Sequence, residues 1–399
     1  MDAIQTLTLA GGALVVGEGL RRTVPVLVRL NLPAAVLGGL AVAVVILLFP
    51  ALGVAPPAFD STLRSPLLIA FFTSLGFGAS LPLLRAGGRQ VLLFLGLATA
   101  LSIGQGLLGM AVAGLFGLPL LFGVLTGTAA LAGGPATALA FAPAFEQAGI
   151  NGAEAIGVIA AMGGIVLGGL VGGPVAGAVL RAQRHGENPN AGAKLETTPD
   201  TLSAGNETNQ SGSTGGPHSA MHGILLVLAV MWAGTFVSAG FTALGITLPA
   251  YVGAMLVAAV VRNVADVAGW RLPLAAIETF GNLALPLFIA MALMTLELGK
   301  LAGLATPLLV NMLLQTLLVV LVARWLVPRL MGRDYDAAVM AGGFTGFMMG
   351  TTANAMAVMR TLTERYGPAP RAFLVAPLVG AFFIDFANAI IITAYLNWR

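Results

Sequence analysis

Long apolar runs, most of them near the length that crosses a bilayer and several of them ended by arginines, leave this chain of 399 residues few folds to choose from. The first half carries Ile4–Leu20, Pro33–Leu52, Ser65–Leu84, Val91–Leu118 and a fifth run ending at Leu180. The second half carries His222–Gly245, Pro249–Val261, Thr279–Leu296, Leu301–Val327 and Ala372–Leu396. A helix needs about 20 apolar residues to span the hydrocarbon core. Inside lipid every backbone polar group must be satisfied within the fold, which favours helices for runs of this length. Charged residues make up only 9% of the chain, against about 25% in soluble domains. The expected class is an all-α polytopic membrane protein.

Two stretches break the pattern. Ala341–Met359 (AGGFTGFMMGTTANAMAVM) is apolar enough for a membrane but carries Gly342, Gly343, Gly346 and Gly350, followed by Thr351, Thr352 and Asn354. Each glycine inside a helix costs about 0.5–1 kcal/mol against alanine. Thr126–Phe141 (TGTAALAGGPATALAF) is its counterpart in the first half. Irregular backbone at membrane depth persists where protein buries it or where it lines a water-filled cavity. Discontinuous segments of this kind hold substrate and ions in secondary transporters. Close helix packing is the alternative use of the same glycines; their recurrence at equivalent positions favours a site.

The halves also repeat each other. LPAAVLGGLAVAVV (Leu32–Val45) matches LPAYVGAMLVAAVV (Leu248–Val261), and PLLIA (Pro66–Ala70) matches PLFIA (Pro286–Ala290). Matches in one order point to internal duplication. Between the halves, Arg181–Gly216 is rich in Ser, Thr, Asn, Gly and Pro and reads as a flexible linker. The expected divisions are a first repeat over 1–180, a linker over 181–221 and a second repeat over 222–399. Basic residues collect on the cytoplasmic side of membrane proteins. About 16 of the 19 Lys and Arg, Lys194 in the linker among them, fall on one side if each half has five spans and each broken stretch returns to the side it entered; Arg64, Lys300 and Arg399 remain on the other. Re-entrant helical hairpins are thus expected at about 120–147 and about 336–360. Five is odd, so the two repeats are inverted, with both termini outside and the linker cytoplasmic.

Several functions are disfavoured. There is no cysteine, and His185, His218 and His222 all lie in or beside the linker, so an intramembrane histidine metal site is ruled out. Paired intramembrane acids at catalytic spacing are missing, which argues against an enzyme and leaves no catalytic residue to name. The pI of 9.7 reflects scattered basic residues between apolar runs, which is a topology signal and does not suggest nucleic acid. No cleavable signal peptide is expected.

Five stretches carry a family resemblance: Ser65–Arg89, Gly163–Ala176, Asn282–Leu298, Met331–Phe347 (MGRDYDAAVMAGGFTGF) and Thr363–Ile392 (TERYGPAPRAFLVAPLVGAFFIDFANAIII). Through them the chain resembles the bacterial sodium/glutamate symporter family over nearly its whole length. The resemblance implies two inverted five-helix halves with re-entrant segments, and sodium-coupled uptake of L-glutamate. It further implies an elevator-like movement, a homodimer, and a place in the bacterial inner membrane. The loops depart from the family pattern. The family's first loop usually reads serine, two glycines, histidine, where this chain has Ala132-Gly133-Gly134-Pro135-Ala136-Thr137. The second loop lacks the family's histidine and its Gly-Ala-Thr-Pro run.

A transporter needs oxygens for sodium and donors for carboxylates. The expected substrate groups are Gly133, Gly134, Thr137, Gly346, Gly350, Thr351, Thr352 and Asn354, with helix N-termini after each break suited to a carboxylate. The expected sodium groups are Thr137, Thr352, Asn354, Asp385 and Asn388. Asp385 lies near the middle of the last run, where an acid costs about 2.5–3.5 kcal/mol on insertion scales and needs a partner or a cavity. Asn282 divides evenly between packing and site, while Glu18, Glu154 and Glu297 sit near span ends and read as interfacial. An inside-negative potential opposes entry of a −1 glutamate by about 2.3 kcal/mol per 100 mV, so at least two cations must accompany it for voltage to help. Two alternatives stay open: the same fold carrying another organic acid or amino acid, and an ion channel or exchanger without organic substrate.

Overall fold

The computed structural model describes the chain except residues 31, 50–52, 54, 185–216, 246–247, 297–302 and 399, and at 29, 184, 217, 381 and 382 it describes the backbone alone. Most of the expected linker, with His185 and Lys194, lies outside the described residues, as do Glu297, Lys300 and Arg399. Among the described residues every regular element is helical. In chain order these are α1 (Ala3–Thr23), α2 (Pro25–Arg29), α3 (Ala34–Leu48), α4 (Arg64–Phe77), α5 (Leu81–Ala86) and α6 (Gly88–Leu115). Then come α7 (Leu120–Val124), which runs on into a π turn at Leu125–Ala129, α8 (Gly134–Gln147) and α9 (Ala153–Arg184). The second half holds α10 (Pro217–Ala243), α11 (Ala250–Ala268), α12 (Leu274–Met294), α13 (Ala305–Met331), α14 (Tyr335–Met348) and α15 (Thr352–Tyr366). It ends with α16 (Pro370–Leu378), a π turn at Val379–Phe383, and α17 (Ile384–Leu396).

Seven of the described helices, α1, α6 and α9 to α13, are long and apolar enough to cross a membrane; α3, α4 and α17 are apolar but shorter. Local chemistry explains where several runs divide. Ser65–Leu84 splits because Ser80 caps a new helix, its hydroxyl accepting from the Leu83 amide at 3.4 Å, with Pro82 in the first turn. Asn282, expected to begin a span, lies inside α12, which starts earlier after Pro273. Large side chains remain on the outside, Leu115 at 83% exposed, Trp232 at 67% and Leu309 at 60%. Hydrocarbon around the molecule accounts for such a surface; water does not.

The helices sort into two groups by what they touch. In the first, α1 packs on α3 and α10 on α11, while α4 and α12 join these pairs across the halves. In the second, α6 packs on α13 and α9 on α14, with α7, α8 and α15 to α17 filling the rest. Contacts between the groups are fewer, such as α8 with α12 and α11 with α17. One apolar cluster bridges them, where the Tyr251 ring of α11 meets Phe72 at 4.9 Å and Phe141 of α8 at 5.2 Å between centroids.

Polar ties join helix ends that the sequence keeps far apart. The Met1 ammonium donates to the Ala58 carbonyl at 2.8 Å. Arg64, at the start of α4, pairs with Glu154, at the start of α9. Ser80 donates to Asp266 at 2.6 Å, and Asn263 to the Ala79 carbonyl at 2.8 Å. Gln183 donates to the Asp334 carbonyl at 3.2 Å, and Arg371, at the start of α16, pairs with Asp334 before α14. Charged and polar ends meet in this way only when they share a level in the fold.

Candidate functional site

The first break forms between the π turn and α8. Gly127 leaves helical geometry at φ −99 and ψ −109. The approach is held close because α6 and α7 touch through backbone at Gly109 and Gly123, where a Cβ on either glycine would strike the other's carbonyl. Gly134 then opens α8 at φ +68, a conformation that L side chains rarely adopt. The second break follows Met348. Thr351 caps α15, its hydroxyl accepting from the Asn354 amide at 3.3 Å. The two breaks face each other: a Cβ on Gly134 would stand 3.0 Å from the Gly350 carbonyl oxygen and 3.2 Å from the Thr351 methyl.

Both breaks open on one cavity of about 990 Å³ between the two helix groups. Gly133, Pro135 and Ala136 line it from the first break, and Gly350, Thr351, Thr352 and Ala353 from the second. The amides of Gly134, Ala136, Thr352 and Ala353 donate to nothing among the described residues. The cavity wall formed by the first turns of α8 and α15 is therefore a donor-rich, electropositive surface. Asp385 faces the same space, half-buried and without a hydrogen-bond or ion-pair partner among the described residues. Thr352 donates its hydroxyl to the Gly380 carbonyl at 2.7 Å, in the π turn just before Asp385. Asn282 lines the opposite wall.

Charge enters from that opposite wall. Arg21 lies 3.6 Å from Glu18, and Arg262 donates to Asp266 at 3.1 Å; Glu18, Arg21, Arg262 and Glu278 all line the cavity. Sequence reasoning identified no arginine for this space, because both arginines stand at the ends of apolar runs and read there as topology signals.

The expected site residues divide. Gly133, Gly350, Thr351, Thr352 and Asp385 line the cavity, and Gly134 sits where the breaks touch. Thr137 is 3% exposed, one turn into α8, packed on Gly133 and off the cavity wall. Gly346 is buried within α14, beside the Ala355 backbone. Asn354 is fully buried and braces three segments, its amide donating to the Ile165 carbonyl of α9 at 3.0 Å and the Gly346 carbonyl at 3.3 Å. Asn388 points away from Asp385. It accepts from the Thr128 hydroxyl at 2.6 Å and donates to the Thr128 carbonyl at 3.1 Å, tying α17 to the first π turn.

A second polar cluster was passed over in the sequence because it sits inside two apolar runs. On α6 and α13, Gln105, Asn311 and Gln315 are at most 1% exposed. Asn311 donates to the Thr126 hydroxyl at 2.8 Å, Gln315 to the Gln105 carbonyl at 2.7 Å, and Gln105 to the Met348 carbonyl at 2.9 Å. The missed signal was a carboxamide at mid-span, which is costly in lipid unless it faces protein. Among the described residues no three of His, Asp and Glu converge to hold a metal ion.

Comparison with known proteins gives concordant results. A family model described as sodium/glutamate symporter matches residues 1–368. The chain is similar to the sodium/glutamate symporter of Escherichia coli (strain K12), 37% identical over 398 residues, covering 99% of this chain and 98% of that protein. It is 34% identical over 387 residues to the sodium/glutamate symporter of Haemophilus influenzae, covering 96% and 95%. No solved structure matches.

Proposed function

The chain belongs to the sodium/glutamate symporter family, and on that premise we propose that it is a secondary active transporter that takes up L-glutamate with Na+. The observation that carries the proposal is the meeting of two helix breaks on one cavity. Unpaired first-turn amides from α8 and α15 suit a carboxylate, as helix N-termini do elsewhere. The Asp385 carboxylate, without a partner among the described residues and lining the same cavity as Thr352, suits a cation. A bound anion and a bound cation in one space stabilise each other, and that is the thermodynamic content of symport.

The polar ties support two inverted repeats of five spans with re-entrant hairpins. If the α7–α8 stretch crossed the membrane fully, Glu154 would stand on the opposite face from Arg64; the two are paired. In the same way, Arg371 after α15 pairs with Asp334 before α14, as a hairpin returning to its own side requires. On this topology Glu18, Arg21, Arg262 and Glu278 stand at the cytoplasmic mouth, and the cavity opens inward. The cavity's position between two helix groups supports an elevator-like cycle in which α6–α9 and α13–α17 move against the rest. A homodimer in the bacterial inner membrane, with both termini outside, completes the proposal.

The second reading keeps the fold and changes the cargo to another organic acid or amino acid. It is motivated by the altered loops: both lack the histidine the family resemblance leads one to expect, Pro135 following the two glycines of the first and Gly343-Phe344 following the first glycine of the second. Purified protein in proteoliposomes separates the two. An inward Na+ gradient should drive uptake of labelled L-glutamate, saturably, and a K+ gradient should not. In Asp385→Asn the Na+ dependence should weaken by about tenfold or more, the scale of one lost contact worth about 1.4 kcal/mol. Sodium-driven uptake of a different acid with none of glutamate would select the second reading.

A further inference from the structure

We infer a second binding site for a monovalent cation, built from neutral oxygens at the crossing of α6 and α13. The inference rests on the sodium-coupled reading above but uses none of the cavity's residues. Three buried side-chain oxygens on these two helices have no hydrogen-bond partner among the described residues: Ser102 Oγ, Gln105 Oε1 and Gln315 Oε1. All three residues are 0% exposed. Ser102 and Gln105 are three apart on α6 and so share a face. Gln315 reaches α6 from α13, its amide nitrogen 2.7 Å from the Gln105 carbonyl.

The arrangement is one-sided in a way that points to a positive ligand. The Gln105 amide donates to the Met348 carbonyl, and the Gln315 amide to the Gln105 carbonyl and to Asn311 Oδ1 at 3.4 Å, while both hold back their oxygens. A buried acceptor left unpaired costs about 1–3 kcal/mol, and the penalty is hard to relieve in a membrane, where solvent does not reach. A hard cation answers it directly, because such ions take oxygen ligands. The local charge also selects the ion. The residues of the cluster, Ser102, Gln105, Asn311 and Gln315, are all neutral, so a divalent ion would find no compensating charge among them, whereas Na+ is already the coupling ion of the proposed reaction.

The place of this cluster gives a cation there something to do. A Cβ on Gly127, the non-helical residue of the first π turn, would stand 2.7 Å from the Gln105 carbonyl and 3.0 Å from the Gln315 amide nitrogen. On the other side, Gln105 holds the Met348 carbonyl, the last helical residue before the second break. A cation bound to the two glutamine oxygens therefore fixes the arms that present both breaks to the cavity. Sodium would organise the glutamate site from behind, without touching the substrate.

The test uses the full-length protein and reads sodium in two ways: the concentration for half-maximal L-glutamate uptake in proteoliposomes, and thermal stabilisation by NaCl against KCl without substrate. The variants are Ser102→Ala, which breaks no hydrogen bond and should fold normally, Gln105→Met and Gln315→Met. Each is expected to raise the half-maximal Na+ concentration, by about threefold for the serine and about tenfold for the glutamines, the latter equal to about 1.4 kcal/mol. The apparent L-glutamate KM at saturating Na+ should stay within about twofold, since the contact is indirect. A variant that loses uptake altogether is read by its melting curve: loss of the Na+ shift supports the site, and an unchanged Na+ shift overturns it. Unchanged sodium dependence in all three variants would overturn the inference while leaving sodium-coupled uptake standing. Absence of Na+-driven uptake in the wild type would instead remove the functional reading itself.

Discussion

Gly134 and Gly350 shape the meeting of the two breaks: a Cβ on Gly134 would stand 3.0 Å from the Gly350 carbonyl oxygen, and one on Gly350 3.0 Å from the Asn354 and Ile165 side chains. Gly134→Val should be defective on two counts. Its φ of +68 would cost about 1–2 kcal/mol for an L residue, and its side chain would press on the second break. Uptake should be lost, with lowered thermal stability in detergent; a variant with wild-type uptake would show that the breaks need not touch. Asn354 makes a contrasting prediction. It was expected among substrate and sodium groups, and it sits among the braces behind the second break. Asn354→Leu should cost about 1–3 kcal/mol in stability by removing the hydrogen bonds to the Ile165 and Gly346 carbonyls, each worth about 0.5–1.5 kcal/mol, measured as a fall in melting temperature with and without ligand alike. A variant of wild-type stability that has lost only Na+ response would return Asn354 to the ligand shell. At this scale the sequence was half legible. It showed residue types that could bind, since polar groups in an apolar run stand out. It could not show direction: Asp385 and Asn388 are one turn apart, yet one faces the cavity and the other the Thr128 hydroxyl.

Elements were more legible than side chains, for a physical reason. Hydrophobic length acts along the chain, so the all-helical class could be read from it, and α8 and α15 begin within the two glycine-rich stretches. Glycine content could not reveal that the last apolar run passes through a π turn at Val379–Phe383, beside Pro377. Nor could it reveal the α6–α13 crossing, since pairing between distant helices depends on packing that no local pattern encodes. The re-entrant proposal is tested at this scale. The chain has no cysteine, so single cysteines report sidedness without a background. With an impermeant maleimide on intact cells, Ser61→Cys and Asn151→Cys should label together, and Ala182→Cys and Glu364→Cys should label only after permeabilisation. Labelling of Ser61→Cys and Asn151→Cys from opposite sides would mean that α7–α8 crosses the membrane.

For the whole molecule, the account is of two helix groups with the binding cavity between them, and transport as movement of one against the other. Tyr251 of α11 and Phe141 of α8 lie on either side of that boundary. Joining cysteines placed at these two positions with a bifunctional thiol reagent should stop uptake yet spare sodium-dependent glutamate binding; unimpaired uptake after complete cross-linking would exclude relative motion of the groups. The central claim is prior to any motion: two facing breaks form one site that holds L-glutamate and Na+ together. The most direct measurement is the melting temperature of the purified protein with L-glutamate, in NaCl and then in KCl. Ligand at 100 times its Kd adds about 2.7 kcal/mol of stability. The account predicts a clear rise with L-glutamate in NaCl and none in KCl. An equal rise in both salts, or no rise in either, would contradict it.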